Sequence, residues 1–437
     1  MRTDRSPRSR VGSLRQRSYA ALLVTAVLVP AVLIAPGATA PRSVAADPAV
    51  VTDWNAVAVE TIATDAGKAN AESWYWFAFE QVAVYNAVVG ITRRYELYRW
   101  NVRGPRMASP EAAAAAAAHR VLMTYFPASE PRLSAAYAGS LANIPDGVAE
   151  RLGVRYGERA ASHLIDLRAD DGRFADVTFD MPPDIGVWRP TPPTFTPFFD
   201  PWLSQLDPFT MASPDQFRPG PPPVLTSAAY TRDYNEVKEY GSKTDSARSA
   251  AQTETALLFS DTGVGPLQAA LRDVATRHEL DISDSARLFA AVEMSAADAI
   301  IASWDGKMRY GFWRPVTAIQ MGEDDGNPDT VGDPVWEPLI PTPPYPDYPS
   351  GLAPVIGAVS GALAGVLDLG GGRIDLYLTS VAAGVTRHFE FASDMNRDVV
   401  DARVWLGIHF RTADVVGSEM GVRIADWALE HFFGPTH

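Results

Sequence analysis

Lys307-Met-Arg-Tyr-Gly-Phe-Trp-Arg314-Pro315 closes a long segment, 284–309, whose pattern predicts a helix. Pro315 disfavours helical geometry at Arg314, so Arg314 is expected to project from a helix end. On an ideal helix, seven residues bring Lys307 and Arg314 within about 20° of one another and about 10 Å apart along the axis, so both can face one cleft. Two further islands follow. Pro349-Ser350-Gly351-Leu352 opens an apolar run, and Ala402-Arg403 is followed by His409 six positions on.

Each island carries groups suited to a tetrahedral oxyanion. Lys and Arg supply positive charge, and Arg adds paired planar donors. Ser350-Gly351 supplies a hydroxyl and backbone N–H groups at an expected helix N-terminus, with Ser350 able to cap. His409 supplies a nitrogen that can coordinate a metal or attack phosphorus. Taken singly, each island also has an ordinary reading: a solvated basic face, a helix cap, a core histidine. Arg403 and His409 fall about 120° apart on an ideal helix, so a helix through 393–409 does not put them on one face unless it bends.

The whole chain has 437 residues, 47% hydrophobic and 21% charged, a globular composition. It contains no cysteine, which excludes disulfides, thiolate metal sites and a cysteine nucleophile. The net charge of −14 argues against nucleic acid as a partner. Residues 1–46 read as a secretory signal, with arginines before an apolar core at 20–35 and Val44-Ala45-Ala46 as a cleavage site. Export from the cytoplasm is therefore expected, with no stable membrane span once the signal is cleaved. Seven Arg and one Asp lie in 1–46, so the remainder carries −14 − 6 = −20.

The rest of the chain predicts an all-α fold, two helical halves joined by long Pro-rich ordered loops. The N-terminal half spans 47–181. In it, 71–89 is apolar on most sides and reads as a buried helix. Ser109-Pro110 starts another, continued by seven alanines at 112–118, and 150–168 is helical again. Residues 182–226 are expected to wrap a surface, because thirteen prolines stand in 182–223 among seven Trp and Phe side chains. The C-terminal half, 227–437, carries the three islands, with helices expected at 227–241, 247–261, 284–309, 351–367, 393–409 and 412–432. An acidic loop at Asp324, Asp325 and Asp329 can bind calcium or simply be solvated, and it lacks recognisable ligand spacing.

In order, the islands read Lys-x6-Arg-Pro, Pro-Ser-Gly, and Arg-x5-His. This pattern resembles the signature of the vanadium-dependent haloperoxidases and the type-2 phosphatidic acid phosphatase superfamily. Trp304-Asp-Gly-Lys307, Tyr345-Pro-Asp-Tyr-Pro-Ser-Gly351 and Gly407-Ile-His-Phe-Arg-Thr412 extend the likeness to secreted bacterial members. The resemblance implies helical bundles, two four-helix-bundle-like halves with the anion site inside the C-terminal one, and it implies that Lys307, Arg314, Ser350, Gly351 and Arg403 bind the oxygens of vanadate, or of phosphate in its place. It implies that His409 is the vanadium ligand or, in a phosphatase, the nucleophile, and that Trp304 and Tyr345 wall a halide pocket. It implies hydrogen peroxide, halide and a small organic acceptor as partners, and leaves the oligomeric state open.

Three positions depart from the signature. Leu352 stands where the family has its acid–base histidine, and general acid–base catalysis is worth about 10²- to 10⁴-fold. Ala402 replaces a serine. Ala413 stands at an aspartate position, with Asp414 one residue later and expected to point about 100° away. Haloperoxidase chemistry with reduced or altered activity is the leading expectation; a phosphomonoesterase or a non-catalytic oxyanion binder on the same scaffold are the alternatives.

Overall fold

The computed structural model describes residues 46–261 and 263–436. The leader reading at 1–46 lies outside the described residues except for Ala46. Five helices come first: α1 (Ala49–Val59), α2 (Asn70–Thr92), α3 (Pro110–Tyr125), α4 (Glu130–Ala142) and α5 (Val148–Leu167). Helix α2 is buried on every side from Glu72 to Ile91, as its all-round apolar sequence requires. Helix α3 starts as its sequence predicts. The Ser109 hydroxyl accepts from the Ala112 N–H at 3.1 Å, Pro110 fills the first turn, and Ala112 to Ala118 are all buried. Methyl side chains let α3 lie close against both α2 and α5.

The second group comprises α6 (Ala228–Tyr240), α7 (Ala250–Leu258), α8 (Val264–Arg277), α9 (Ile282–Tyr310), α10 (Pro315–Gln320), α11 (Leu352–Leu367), α12 (Ala392–Trp405) and α13 (Arg411–His431). Helix α9 is the axis of this group and packs against α11 and α13 on one side. On its other side it packs against α2, so one apolar core runs through both groups. Among the described residues the fold is all-α apart from one hairpin. Among the described residues no helix is long and apolar enough to cross a membrane.

The Pro-rich stretch contains only a short 3₁₀ turn at Pro201–Gln205 and is tied to α9 along its length. The buried Asp298 carboxylate of α9 accepts from the Phe209 and Thr210 N–H groups at 2.6 and 2.7 Å. The Arg218 guanidinium meets Asp305 of α9 at 2.5 and 2.6 Å. Trp188 and Trp202 turn inward.

Three expectations are corrected. First, residues 373–391 form an antiparallel hairpin, β1 (Arg373–Ser380) with β2 (Val385–Phe391), where the sequence reading had only a glycine turn between helices. Ile374, Leu376 and Leu378 alternate into the core and pack the hairpin on α8. Second, the helix expected at 247–261 ends at Leu258, and α8 follows as a separate helix. Third, the helix expected to reach 409 ends at Trp405. Gly407 then adopts φ +79°, and a Cβ there would lie 2.4 Å from the Gly241 carbonyl oxygen, so only glycine fits the turn. His409 therefore lies beyond the helix, and helical rotation does not govern its relation to Arg403.

Candidate oxyanion site

Lys307, in the last turn of α9, is fully buried. Its ammonium donates to the carbonyls of Pro346 (2.7 Å), Asp347 (3.2 Å) and Pro349, three donors for three acceptors. Burial, then the neighbouring Arg314 guanidinium, holds Lys307 well below the usual lysine range. Arg314 is extended, as Pro315 requires, and stands at the start of α10. Its Nε donates to the Tyr345 carbonyl at 2.6 Å, Nη1 to the Ile408 carbonyl at 2.6 Å, and Nη2 to the Pro343 carbonyl at 3.2 Å. Both cations lie over the Tyr345 ring, Nζ of Lys307 4.9 Å and Cζ of Arg314 4.6 Å from its centroid. The 343–349 segment is thus held to α9 and α10 by the two cations.

His409, in the turn between α12 and α13, is completely buried. Its Nδ1 lies 2.8 Å from Asp347 Oδ1, and its Nε2 lies 3.0 Å from Arg314 Nη1. The same Nη1 lies 3.3 Å from Nδ1, but with Nδ1 donating its proton to the Asp347 carboxylate the nearer Nε2 is left as the acceptor for a guanidinium, which only donates. Burial is the main reason that His409 lies well below its usual value, with Arg314, Arg403 and Lys307 adding to it. Burial also pushes the Asp347 carboxyl up to about 7, against the pull of Arg314 and Lys307. The imidazole is neutral, with its Nε2 lone pair turned toward the cations.

Ser350 and Gly351 lead into α11. The Ser350 N–H donates to the Ala413 carbonyl at 3.0 Å, and its hydroxyl does not cap the helix, which corrects the expected cap. Gly351 occupies the capping position, and a Cβ there would stand 3.3 Å from the Tyr345 hydroxyl, so glycine lets that hydroxyl approach the helix end. Arg403, in the last turn of α12, donates from Nη1 to the Phe259 carbonyl at 3.3 Å and is held below its usual value by burial. Asp414 is completely buried, where the sequence reading expected it to point away. Burial pushes its carboxyl well above the usual range, while the Ser350 hydroxyl and Arg403 pull it down.

The donor set fits a tetrahedral oxyanion. The Ser350 hydroxyl and Arg403 Nε are buried and have no hydrogen-bond partner of good geometry. They flank the N-terminus of α11 beside His409 and two further cations, which is the arrangement that vanadate or phosphate requires. Lys307 contributes charge from behind, since all three of its N–H groups are already engaged.

A cavity of about 450 Å³ opens over this set. Gly351, Leu352, Arg403, Trp304 and Tyr345 line it, while Lys307, Arg314, Ser350 and His409 lie behind these residues. Trp304 and Tyr345 pack with ring centroids 5.0 Å apart, and the Trp304 indole N–H donates to the Phe199 carbonyl at 3.2 Å. The structure thus brings all eight sequence-derived site residues to one place. Sequence reasoning missed Asp347. It stood in the quoted Tyr345–Gly351 stretch, and a carboxylate between two prolines just before Ser350 was the available signal. The acidic loop is explained by its own turns: Asp325 is buried and accepts from the Asn327 N–H and the Thr330 hydroxyl at 2.8 and 2.7 Å. Among the described residues no cluster of three His, Asp or Glu gathers as a metal site.

Residues 287–435 match the family model of the VCPO second helical-bundle domain. Vanadium chloroperoxidase of Curvularia inaequalis is 45% identical over 91 residues, 18% of this chain. That match spans about one seventh (14%) of the relative's length. The fold is similar to the crystal structure of a bacterial vanadium-dependent iodoperoxidase, with TM-score 0.73 and 22% identity over 90% of this chain and 98% of that one. It is also similar to a holo-type bacterial vanadium-dependent chloroperoxidase, with TM-score 0.69 and 18% identity over 88% and 97% of the two chains. The matched bundle at 287–435 and the shared fold support the likeness to the vanadium haloperoxidases that the three islands around His409 carry.

Proposed function

We propose that this protein is a vanadate-dependent haloperoxidase-type enzyme that oxidises halide with hydrogen peroxide, and that Leu352 leaves it with reduced activity. The observation that carries the reading is the neutral His409, its Nδ1–H held by Asp347 at 2.8 Å and its Nε2 facing buried cations. Vanadate, when bound, supplies a Lewis-acidic centre that activates peroxide toward halide. Ser350, Gly351 and Arg403 bind its oxygens, Lys307 and Arg314 neutralise its charge, and His409 Nε2 is the ligand nitrogen. Asp347 fixes the His409 tautomer and ring orientation. Trp304 and Tyr345 wall the approach and keep water from the buried cations. Leu352 lines the cavity beside Arg403 and moves no proton, so activity is lower by about 10²- to 10⁴-fold than with an acid–base group in that place. We further propose that the leader at 1–46 exports the protein, so that the site meets peroxide and halide outside the cytoplasm.

A second reading, a non-catalytic vanadate or phosphate binder, is favoured by that same leucine at the cavity wall. A phosphomonoesterase, with His409 Nε2 as the nucleophile, is confined to leaving groups of low pKa that need no proton. The test is bromination of a standard organic acceptor with vanadate, bromide and peroxide by residues 47–437, beside Leu352→His and His409→Ala. Slow wild-type turnover, a gain of about ten-fold or more in Leu352→His and none in His409→Ala are expected. Vanadate binding to wild type with all three proteins inert would remove the oxidative reading.

A further inference from the structure

Asp414 is a buried carboxyl that the proposed chemistry does not use. It stands in the first turn of α13, and the Ser350 N–H donates at 3.0 Å to the carbonyl of Ala413, the residue directly before it. Asp414, Gly417 and Gly421 follow one another at helical spacing and share one face of α13. That face lies on the start of α11. A Cβ on Gly417 would stand 3.0 Å from the Pro354 ring and 3.6 Å from the Ser350 Cβ, and one on Gly421 would overlap the Pro354 carbonyl oxygen. The two glycines let α13 approach until the Asp414 carboxyl is within reach of the Ser350 hydroxyl.

Both Asp414 oxygens are buried without a hydrogen-bond partner of good geometry, and so is the Ser350 hydroxyl. The cations that face the carboxyl have partners elsewhere. Arg403 of α12 donates to the Phe259 carbonyl, and Arg411, three residues earlier on α13, is held by Glu236 and Asp401, each at 2.7 Å. Lys307 of α9 and Arg314 at the start of α10 spend their N–H groups on carbonyls of the 343–349 segment and of Ile408. Asp347, from that same segment, adds a like charge. An ionised carboxylate without a donor is costly in such a place. Burial accordingly holds Asp414 well above the usual carboxylate range and keeps its proton on.

Two arrangements of the pair are open to it. A protonated Asp414 donates to Ser350 Oγ, which frees the Ser350 proton to point at an oxyanion. An ionised Asp414 accepts that proton instead, and Ser350 then turns its lone pairs on the oxyanion, beside a second negative charge. We infer that Asp414 is a positioning residue of the oxyanion site: its carboxyl donates to Ser350 Oγ and so aims the Ser350 hydroxyl proton at vanadate or phosphate. The inference rests on the reading of Ser350 as an oxyanion-binding residue. Anion affinity is then complete while Asp414 holds its proton and is lost as pH rises through its raised value.

The test is calorimetric titration of the full protein with vanadate from about pH 6.5 to about pH 10. The proteins are wild type, Asp414→Asn, Asp414→Leu, Ser350→Ala and the double variant of the last two. Asparagine has the shape of the acid, and its amide N–H does what the carboxyl O–H does without titrating. At neutral pH, Asp414→Asn is expected to bind vanadate as wild type does, and Asp414→Leu about ten-fold more weakly. In the Ser350→Ala background Asp414→Leu should cost nothing further, because its effect runs through the hydroxyl. As pH rises, wild type should lose affinity relative to Asp414→Asn, and that ratio cancels the ionisation of vanadate and of Asp347. Melting curves check that each variant folds; should the leucine variant fail, the asparagine ratio carries the test. A weaker asparagine variant at neutral pH, a leucine variant that binds as wild type does, a full further loss in the Ser350→Ala background, or a ratio that does not change with pH would overturn the inference, while vanadate binding by wild type leaves the oxyanion site standing. Wild type that binds no vanadate overturns the site itself and the inference with it.

Discussion

Asp347 Oδ1 lies 2.8 Å from His409 Nδ1, and neither residue reaches solvent. The contact joins a proline-flanked segment to a turn 62 residues further along the chain. It decides which imidazole nitrogen keeps its lone pair.

Asp347→Asn keeps the shape and removes the charge that fixes the His409 tautomer. Changes of this kind to the partner of a ligating histidine cost about 10- to 100-fold in affinity or activity. Vanadate affinity is expected to fall by that order with little change in melting temperature, and Asp347→Glu should recover part of it. An Asn variant with wild-type vanadate affinity would show that Nδ1 needs no carboxylate.

Ser350→Ala removes a buried hydroxyl that has no partner of good geometry. An unsatisfied buried polar group costs about 1–3 kcal/mol, so the variant is expected to be as stable as wild type or more so. Vanadate affinity should drop by about ten-fold, equivalent to about 1.4 kcal/mol. Thermal melts and calorimetry on the same preparation separate the two effects, and a fall in stability with unchanged affinity would reverse the assignment.

Lys307→Met leaves the Pro346, Asp347 and Pro349 carbonyls without their buried donor. A loss of about 3–5 kcal/mol is expected, since removing a buried charged donor strands its acceptors. Lys307→Arg should not restore it, because a planar fork cannot take the place of a compact three-donor ammonium. Denaturant unfolding of both variants gives the answer, and a stable Met variant would mean that the loop holds itself.

Glu80 on α2 and Glu293 on α9 are fully buried in the interior of the fold. Burial pushes both to about 8; the neighbouring Glu293 raises Glu80 further, and the Gln268 amide pulls Glu293 back. For a carboxyl raised in the folded state, the stabilising contribution is complete below its unfolded value near 4.5 and is lost as pH rises through about 8. Glu80→Gln is therefore expected to be more stable than wild type at pH 8.5, by up to a few kcal/mol, with a much smaller gain at pH 4.5. Melting curves at the two pH values check this, and an equal difference at both would show that Glu80 does not titrate in this range.

What was legible in the sequence was local. Helix α2 and the alanine helix α3 follow from side-chain periodicity and propensity within a single window, and Arg314 is extended because the next residue, Pro315, begins α10. The hairpin was hidden because its alternation rests on only three residues, Ile374, Leu376 and Leu378, placed directly after three glycines that read as a complete turn. The end of α12 was missed because the pattern runs on through 409, although Gly407 marks the stop. The Asp347–His409 contact has no period to reveal it. It depends on two segments distant in sequence being held together by Lys307 and Arg314, and only the folded chain supplies that.

The three carbonyls gathered on Lys307, and those on Arg314, give these cations a second employer. They keep the chain folded whether or not anything is turned over. Selection for a stable fold is by itself enough to preserve them. In this architecture a complete set of cations therefore speaks for the fold before it speaks for the reaction, and the side chain on the cavity wall at position 352 says more about the chemistry.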